Sequence, residues 1–191
     1  HDPPTPRARP LRLLFGGEFR FGGQGTLVAL ARDLGGWGHL CQLITQARRA
    51  APKGAYRLDS PIDALRALAG CELLWAPGRD SQDASDLIAD CVELARVSGL
   101  IGLKINLLLE LHGAADDDLW LAWMRQAAAA AGCPLVAAGD VRMHVRAAKR
   151  LHDVMTAIRV GRPVHECGFA LQANAERHLR PRHRLARSHP P

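Results

Sequence analysis

The chain has 191 residues, 48% hydrophobic, 23% charged and 5% aromatic, which suits one folded domain and is too short for several. Its apolar runs are broken by Arg, Asp or Gly well before the roughly 20 residues a bilayer crossing needs, so no membrane partner is expected. The formal net charge is +6, but residues 1–139 carry 14 Lys/Arg against 15 Asp/Glu while residues 140–191 carry 11 against 4. The basic character is therefore local to the last part of the chain, where it can serve a polyanion or a solvated surface.

The first ten residues, HDPPTPRARP, hold prolines and arginines and no apolar run, and read as a disordered lead without a targeting segment. With no initiator Met, the chain is expected to be a trimmed product or a piece of a longer protein. Leu11–Phe15, closed by Gly16-Gly17, and Thr26–Ala31, closed by charge and Gly35-Gly36, read as strands. Leu40, Leu43, Ile44 and Ala47 follow the helical period from Trp37 to Arg49. Ser60-Pro61 supplies an N-cap and a first-turn proline for a short helix through Leu68. Leu73–Ala76 is a strand, Ser81–Val97 a helix stopped at Ser98-Gly99, and Ile105–Leu111 a strand apolar on nearly every position, as a strand covered on both faces should be. Asp116, Asp117 and Asp118 suit the positive end of a helix whose inner stripe is Trp120, Trp123, Met124, Ala127 and Ala131, with Gly132 as C-cap. Leu135–Ala138 is a further strand. Val145–Val160 is a helix with Leu151, Val154, Met155 and Ile158 expected to face inward. From residue 73 onward strands and helices alternate, which argues for an α/β architecture with parallel strands.

Five cysteines, Cys41, Cys71, Cys91, Cys133 and Cys167, are odd in number and form no C-x-x-C pair, so they fit buried, reduced thiols of a cytoplasmic protein better than disulfides or a zinc site. Trp37, Trp75, Trp120 and Trp123 read as core or interface anchors. No G-x-S-x-G elbow, P-loop or G-x-G-x-x-G is present, which leaves acyl transfer, nucleotide hydrolysis and dinucleotide chemistry without support.

In parallel α/β folds the reactive groups gather beyond the carboxyl ends of strands. Glu18, Glu110 with His112, and Asp140 with His144 meet that condition, and carboxylates with imidazoles on neighbouring loops are what a divalent metal needs. The same side chains could equally cap loops or pair with arginines. The stretch from Asn174 onward carries Arg177, Arg180, Arg182, Arg184 and Arg187 within eleven residues, a phosphate-contact pattern for guanidinium groups that also describes a solvated face. It has no aromatic residues for base stacking.

The segments GGWGHLCQLITQARRAAPKGAYRL, LLLELHG, PLVAAGDVRMHVRAAKRLHDVMTAIRVGRPVHECG and LQANAERHLRPRHRLA together resemble the PHP (polymerase and histidinol phosphatase) domain of bacterial C-family, alpha-subunit-type DNA polymerases, nearest the error-prone branch used in DNA replication past damage and in repair. The resemblance covers roughly residues 11–187. It implies a partial, distorted (β/α) barrel of PHP type over residues 11–173, with residues 174–191 as a basic connector or tail. It also implies that Glu18 and Asp140 stand where the family has acidic metal ligands. The family carries a His two positions after that aspartate; this chain has Arg142, a permanent cation that cannot ligate a metal. The family's opening His-x-His and Ile-Thr-Asp segments are missing too.

The expectation is thus an incomplete PHP domain from an error-prone polymerase, with Glu18, His112, Asp140 and His144 as vestigial metal candidates, no catalytic residue and no resident cofactor. The parent family's nucleotidyl transfer depends on palm carboxylates that follow this domain, so the chain itself is not expected to polymerise. DNA would be met through the parent polymerase, together with other polymerase or mutasome subunits. A barrel without its first strands would leave unpaired edges and an uncovered apolar face. Two alternatives stay open: a small metal-dependent phosphoesterase using the four candidates, and a non-catalytic nucleic-acid-binding module using the arginines.

Overall fold

The structure is a computed structural model that describes residues 13–79 and 83–189. The lead, Leu11 and Arg12 and the expected start of a helix at Ser81 lie outside the described residues. Five strands form one open sheet in the order β1-β2-β3-β4-β5: β1 Gly16–Arg20, β2 Gly25–Ala31, β3 Cys71–Pro77, β4 Ile105–Glu110 and β5 Leu135–Ala138. As expected from residue 73 onward, β3-β4 and β4-β5 are parallel; β1-β2 and β2-β3 are antiparallel and the sheet is open, which corrects the expectation of parallel strands throughout. The reason is local for the first pair. Phe21 and a 3-10 turn, Gly22–Gln24, join β1 to β2, and so short a link can only close an antiparallel hairpin.

The sheet is alternately buried, and its two faces differ. β2 and β3 each bury every second residue, among them Leu27, Ala29, Leu73 and Trp75, the period of two expected of strands with one dry face. Against that face pack α1 Leu34–Arg49, α2 Pro61–Arg66, α3 Ala84–Leu100 and α4 Asp117–Ala131. Leu40, Leu43, Leu65, Leu68, Leu87, Cys91, Leu94, Trp120 and Met124 join the sheet residues in one apolar cluster. The helix starts follow the sequence: Ser60 Oγ accepts from the Ile62 amide and Asp83 from the amides of Ser85 and Asp86. All five cysteines are unpaired, with Cys71, Cys91 and Cys167 buried, and burial pushes the Cys91 thiol up to about 12.

Three local expectations are corrected. The first strand runs from Gly16 to Arg20, and Leu13, Leu14 and Phe15 are exposed and precede it. Gly16 does not close a strand; it lets two strands approach, since a Cβ there would lie 2.6 Å from Leu30 Cδ2 and 2.7 Å from the Ala29 carbonyl oxygen. Ser98 and Gly99 do not end α3, which runs to Leu100. Ser98 is buried and donates to the Ala95 carbonyl at 2.8 Å, while the left-handed turn falls at Gly102, φ 72°.

The third correction concerns the last long helix. A 3-10 turn, Arg146–Ala148, leads into α5 Lys149–Val160, and Leu151, Val154, Met155 and Ile158 point outward to solvent instead of inward. The final helix, α6 Arg182–Ser188, follows a segment laced to the body. Asn174 donates to the His112 carbonyl at 2.7 Å, and His189 lies 3.1 Å from the Leu109 carbonyl oxygen.

Candidate functional site

The sheet face opposite the four helices carries the charged and polar side chains. Alternation puts Glu18 and Arg20 of β1, Thr26 and Val28 of β2, Ala76 of β3, and Leu108 and Glu110 of β4 around one cleft of about 530 Å³. After β5 the chain turns at Asp140, the only described non-glycine residue with positive φ, 35°, a conformation in which Asp is among the least strained residues. The turn sends α5 across the opening, where His152, Thr156 and Arg159 line the cleft. The returning segment then runs beside Arg142 and Met143: both their amides donate to the Arg177 carbonyl, at 2.8 and 3.1 Å, and the Leu179 amide donates to Met143 at 2.8 Å. That pairing delivers the Arg177 side chain into the cleft.

The acidic groups there are already partnered. Asp140 Oδ1 lies 2.8 Å from Arg142 Nη2, and its Oδ2 is paired with Arg177 Nη1. Glu18 Oε1 accepts from Arg20 Nε at 2.8 Å. Glu110 Oε2 sits 3.6 Å from His112 Nε2, an electrostatic contact longer than a hydrogen bond. Burial opposes ionisation of Glu110, but His112 and the charges of Arg177 and Arg142 outweigh it and hold its carboxyl below the usual range. Burial lowers the Arg177 value while the Glu110 charge pulls it back; the group stays a cation.

A second cavity of about 250 Å³ adjoins the first through Leu108, Glu110 and Arg177 and is lined also by His112, Arg79 and Trp120. Neither ring nitrogen of His112 has a hydrogen-bond partner, nor does Nδ1 of His152. Arg79 fixes this corner. It donates to the Glu110 carbonyl at 2.6 Å and to Asp117 Oδ1 at 2.8 Å, and its guanidinium lies 5.2 Å from the Trp120 ring centre. Asp117 also accepts from the amides of Gly113 and Ala114. Burial opposes its charge, yet the Arg79 and backbone donors hold its carboxyl below the ordinary value.

Of the four metal candidates, Glu18 and Asp140 line the first cavity and His112 the second, while His144 is exposed and lines neither. Among the described residues no group of three or more His, Cys, Asp or Glu side chains could hold a metal ion. The donor chemistry says why. Both Asp140 oxygens and one of Glu18 face guanidinium groups, which supply the positive charge a metal would bring. The residues present do not fit a multi-metal centre.

The arginine-rich stretch divides. Arg177 is committed to Asp140, and Arg180 reaches Ser188 Oγ at 3.2 Å and the Leu111 carbonyl at 3.4 Å. Arg182, Arg184 and Arg187 are exposed on α6. Sequence reasoning missed Arg20, Arg79, His152 and Arg159 as parts of these cavities. Arg20 shares a strand face with Glu18, a relation the sequence hid because Gly16-Gly17 read as the end of a strand.

No family model matches the chain. The chain is similar to the error-prone DNA polymerase of Azoarcus sp. (strain BH72), 46% identical over an alignment of 188 residues that covers 96% of this chain and 17% of that protein. It is likewise similar to the error-prone DNA polymerases of Pseudomonas paraeruginosa, 43% identical with 90% of this chain and 16% of that protein covered, and of Methylococcus capsulatus, 40% identical with 94% and 16% covered. The chain thus spans about a sixth of the length of the curated relatives it matches.

Proposed function

We propose that this chain is the corresponding segment of an alpha-subunit-type, error-prone DNA polymerase that serves replication past damaged DNA. In this reading the segment is a PHP domain whose cleft is held by arginine–carboxylate pairs instead of metal ions, and its role is structural, as a scaffold beside the polymerase core. Similarity along nearly the whole chain to one stretch of error-prone polymerases supports the parentage. The observation that carries the structural role is Asp140, whose two oxygens are taken by Arg142 and Arg177 from different parts of the chain. DNA and any further polymerase subunits are partners of the whole enzyme.

The test uses the purified chain. It should retain no stoichiometric Mn²⁺ or Zn²⁺ after equilibration and gel filtration, hydrolyse no phosphomonoester, and extend no primer on a template. Two or more tightly held cations between Glu18 and Asp140, with phosphatase activity lost in Asp140→Ala, would replace the scaffold with a metal-dependent phosphoesterase. Templated synthesis by the lone chain would overturn the structural role outright.

A further inference from the structure

α5 is turned inside out. At 3.6 residues per turn, Leu151, Val154, Met155 and Ile158 fall on one side of the helix in the i, i+3, i+4, i+7 pattern that ordinarily marks the buried stripe. Here they are 62%, 46%, 62% and 75% exposed. The opposite side holds Lys149, His152, Asp153 and Thr156, which are half-buried or buried. His152 and Thr156 face the cleft, and Lys149 is paired with Asp153 at 2.7 Å. The polar side is thus fixed inward by the cleft, and no rotation of the helix within this chain hides the apolar side without withdrawing those groups. Val145 precedes the stripe and Val164 sits in the 3-10 turn Val164–Glu166 that packs against α5; both are exposed as well. A contiguous apolar helix face in water marks an interaction surface.

We propose that this stripe is an interdomain docking face, and that its occupant is an apolar surface with an acidic rim in the remainder of the polymerase. The inference rests on the reading of the chain as a polymerase segment. Two observations select that occupant. The relatives are about six times as long as the stretch they share with this chain, so most of such a protein is available to cover the stripe. Charge is the second. Arg150 is exposed beside the stripe and Arg162 just beyond its end, and the exposed Arg159, on the other side by helical geometry, stands between the stripe and the cleft it lines. A two-fold pairing of the stripe with itself would set these cations against their own copies, whereas an acidic rim would satisfy them.

The experiment places this chain in the Azoarcus polymerase in exchange for the stretch that matches it, and compares that chimaera with the lone chain. Met155→Cys reports the stripe and Gln42→Cys, exposed on α1, is the control; maleimide labelling is read at each site by peptide mass spectrometry. The expected result is labelling at position 155 at least tenfold slower in the chimaera than in the lone chain, with position 42 unchanged. A chimaera bearing Ile158→Glu should regain fast labelling at position 155, while the same change shifts the melting temperature of the lone chain by about 2 °C or less. Equal labelling rates in chimaera and lone chain, with primer extension intact in the chimaera, would overturn the docking face and leave the polymerase reading standing. Loss of primer extension in the chimaera carrying the unaltered stripe would instead remove the polymerase reading and the docking face with it. Protection at position 155 that grows with concentration of the lone chain would show that the occupant is a second copy, and would overturn the proposal.

Discussion

On one face of the sheet Leu73, Trp75, Ile105 and Leu107 meet Leu40, Leu65, Leu87 and Met124 with almost no exposed surface; on the other, Glu18, Glu110 and Asp140 meet Arg20, His112, Arg142 and Arg177 around open space. The first face is held by area removed from water, a non-directional term of about 25 cal/mol per Å². The second is held by pairings that need particular atoms in particular places, and their net worth is reduced by the desolvation of each charge. The same sheet therefore supplies stability on one side and a specified charge arrangement on the other. Substitutions on the two sides should behave differently.

The largest effect is expected on the dry face. Leu107→Ala removes a side chain with no exposed surface and should cost about 2–5 kcal/mol in chemical denaturation. A loss no larger than that of any cleft variant would break the contrast. In the cleft, Asp140→Ala leaves Arg142 and Arg177 without their shared partner and puts alanine into a left-handed conformation, for an expected loss of about 1–3 kcal/mol. Asp140→Asn, which tolerates that conformation, should lose less, and the difference between the two variants separates backbone strain from charge.

Acidification sharpens the comparison further. Glu110 and Asp117 have folded-state values below their ordinary ones, so each contributes stability that is complete above the unfolded value of about 4 and is lost as pH falls through the lower folded value. The denaturation midpoint should be flat from neutral pH to about 5 and fall below about 4. Asp117→Asn should flatten part of that fall. Unchanged acid sensitivity in this variant would show that its pairing with Arg79 adds nothing to folding. The smallest effect is expected on the outer side of α5: Leu151→Glu and Ile158→Glu should move the stability of the lone chain by about 0.5 kcal/mol or less. Such tolerance of charge at positions patterned like a core would be hard to reconcile with a self-contained domain.

Much of the helix-covered layer was legible from residue spacing. The stripe of α4, the stripe of α1 apart from Ile44, which is exposed, the Ser60-Pro61 start and the Gly132 stop are local features, and local features suffice to place them. Gly16-Gly17 and Ser98-Gly99 misled because glycine and serine mark turns on average, whereas here one glycine admits a neighbouring strand and the serine returns a hydrogen bond to its own helix. The periodicity of α5 correctly gave an apolar stripe but not which way it faces, since the direction depends on what lies across the cleft. Within the site, the positions of Glu110, His112 and Asp140 near strand ends were readable, whereas Glu18, expected beyond a strand closing at Phe15, lies in the middle of β1. The pairing of Asp140 with Arg177, 37 residues away, was not: no spacing rule links two residues that meet only because two loop segments run side by side.

The two-armed grip on Asp140 also bears on how such a cleft can change over generations. Replacing Arg142 leaves Arg177 in place, and replacing Arg177 leaves Arg142, so no single replacement of either arginine empties both oxygens of their cations. A route that frees this carboxylate for other chemistry must pass through an intermediate that keeps one arm, carries half of the old electrostatics and gains none of the new. Descent with small steps thus runs more easily toward keeping the paired state than toward leaving it, and the arrangement behaves as a ratchet.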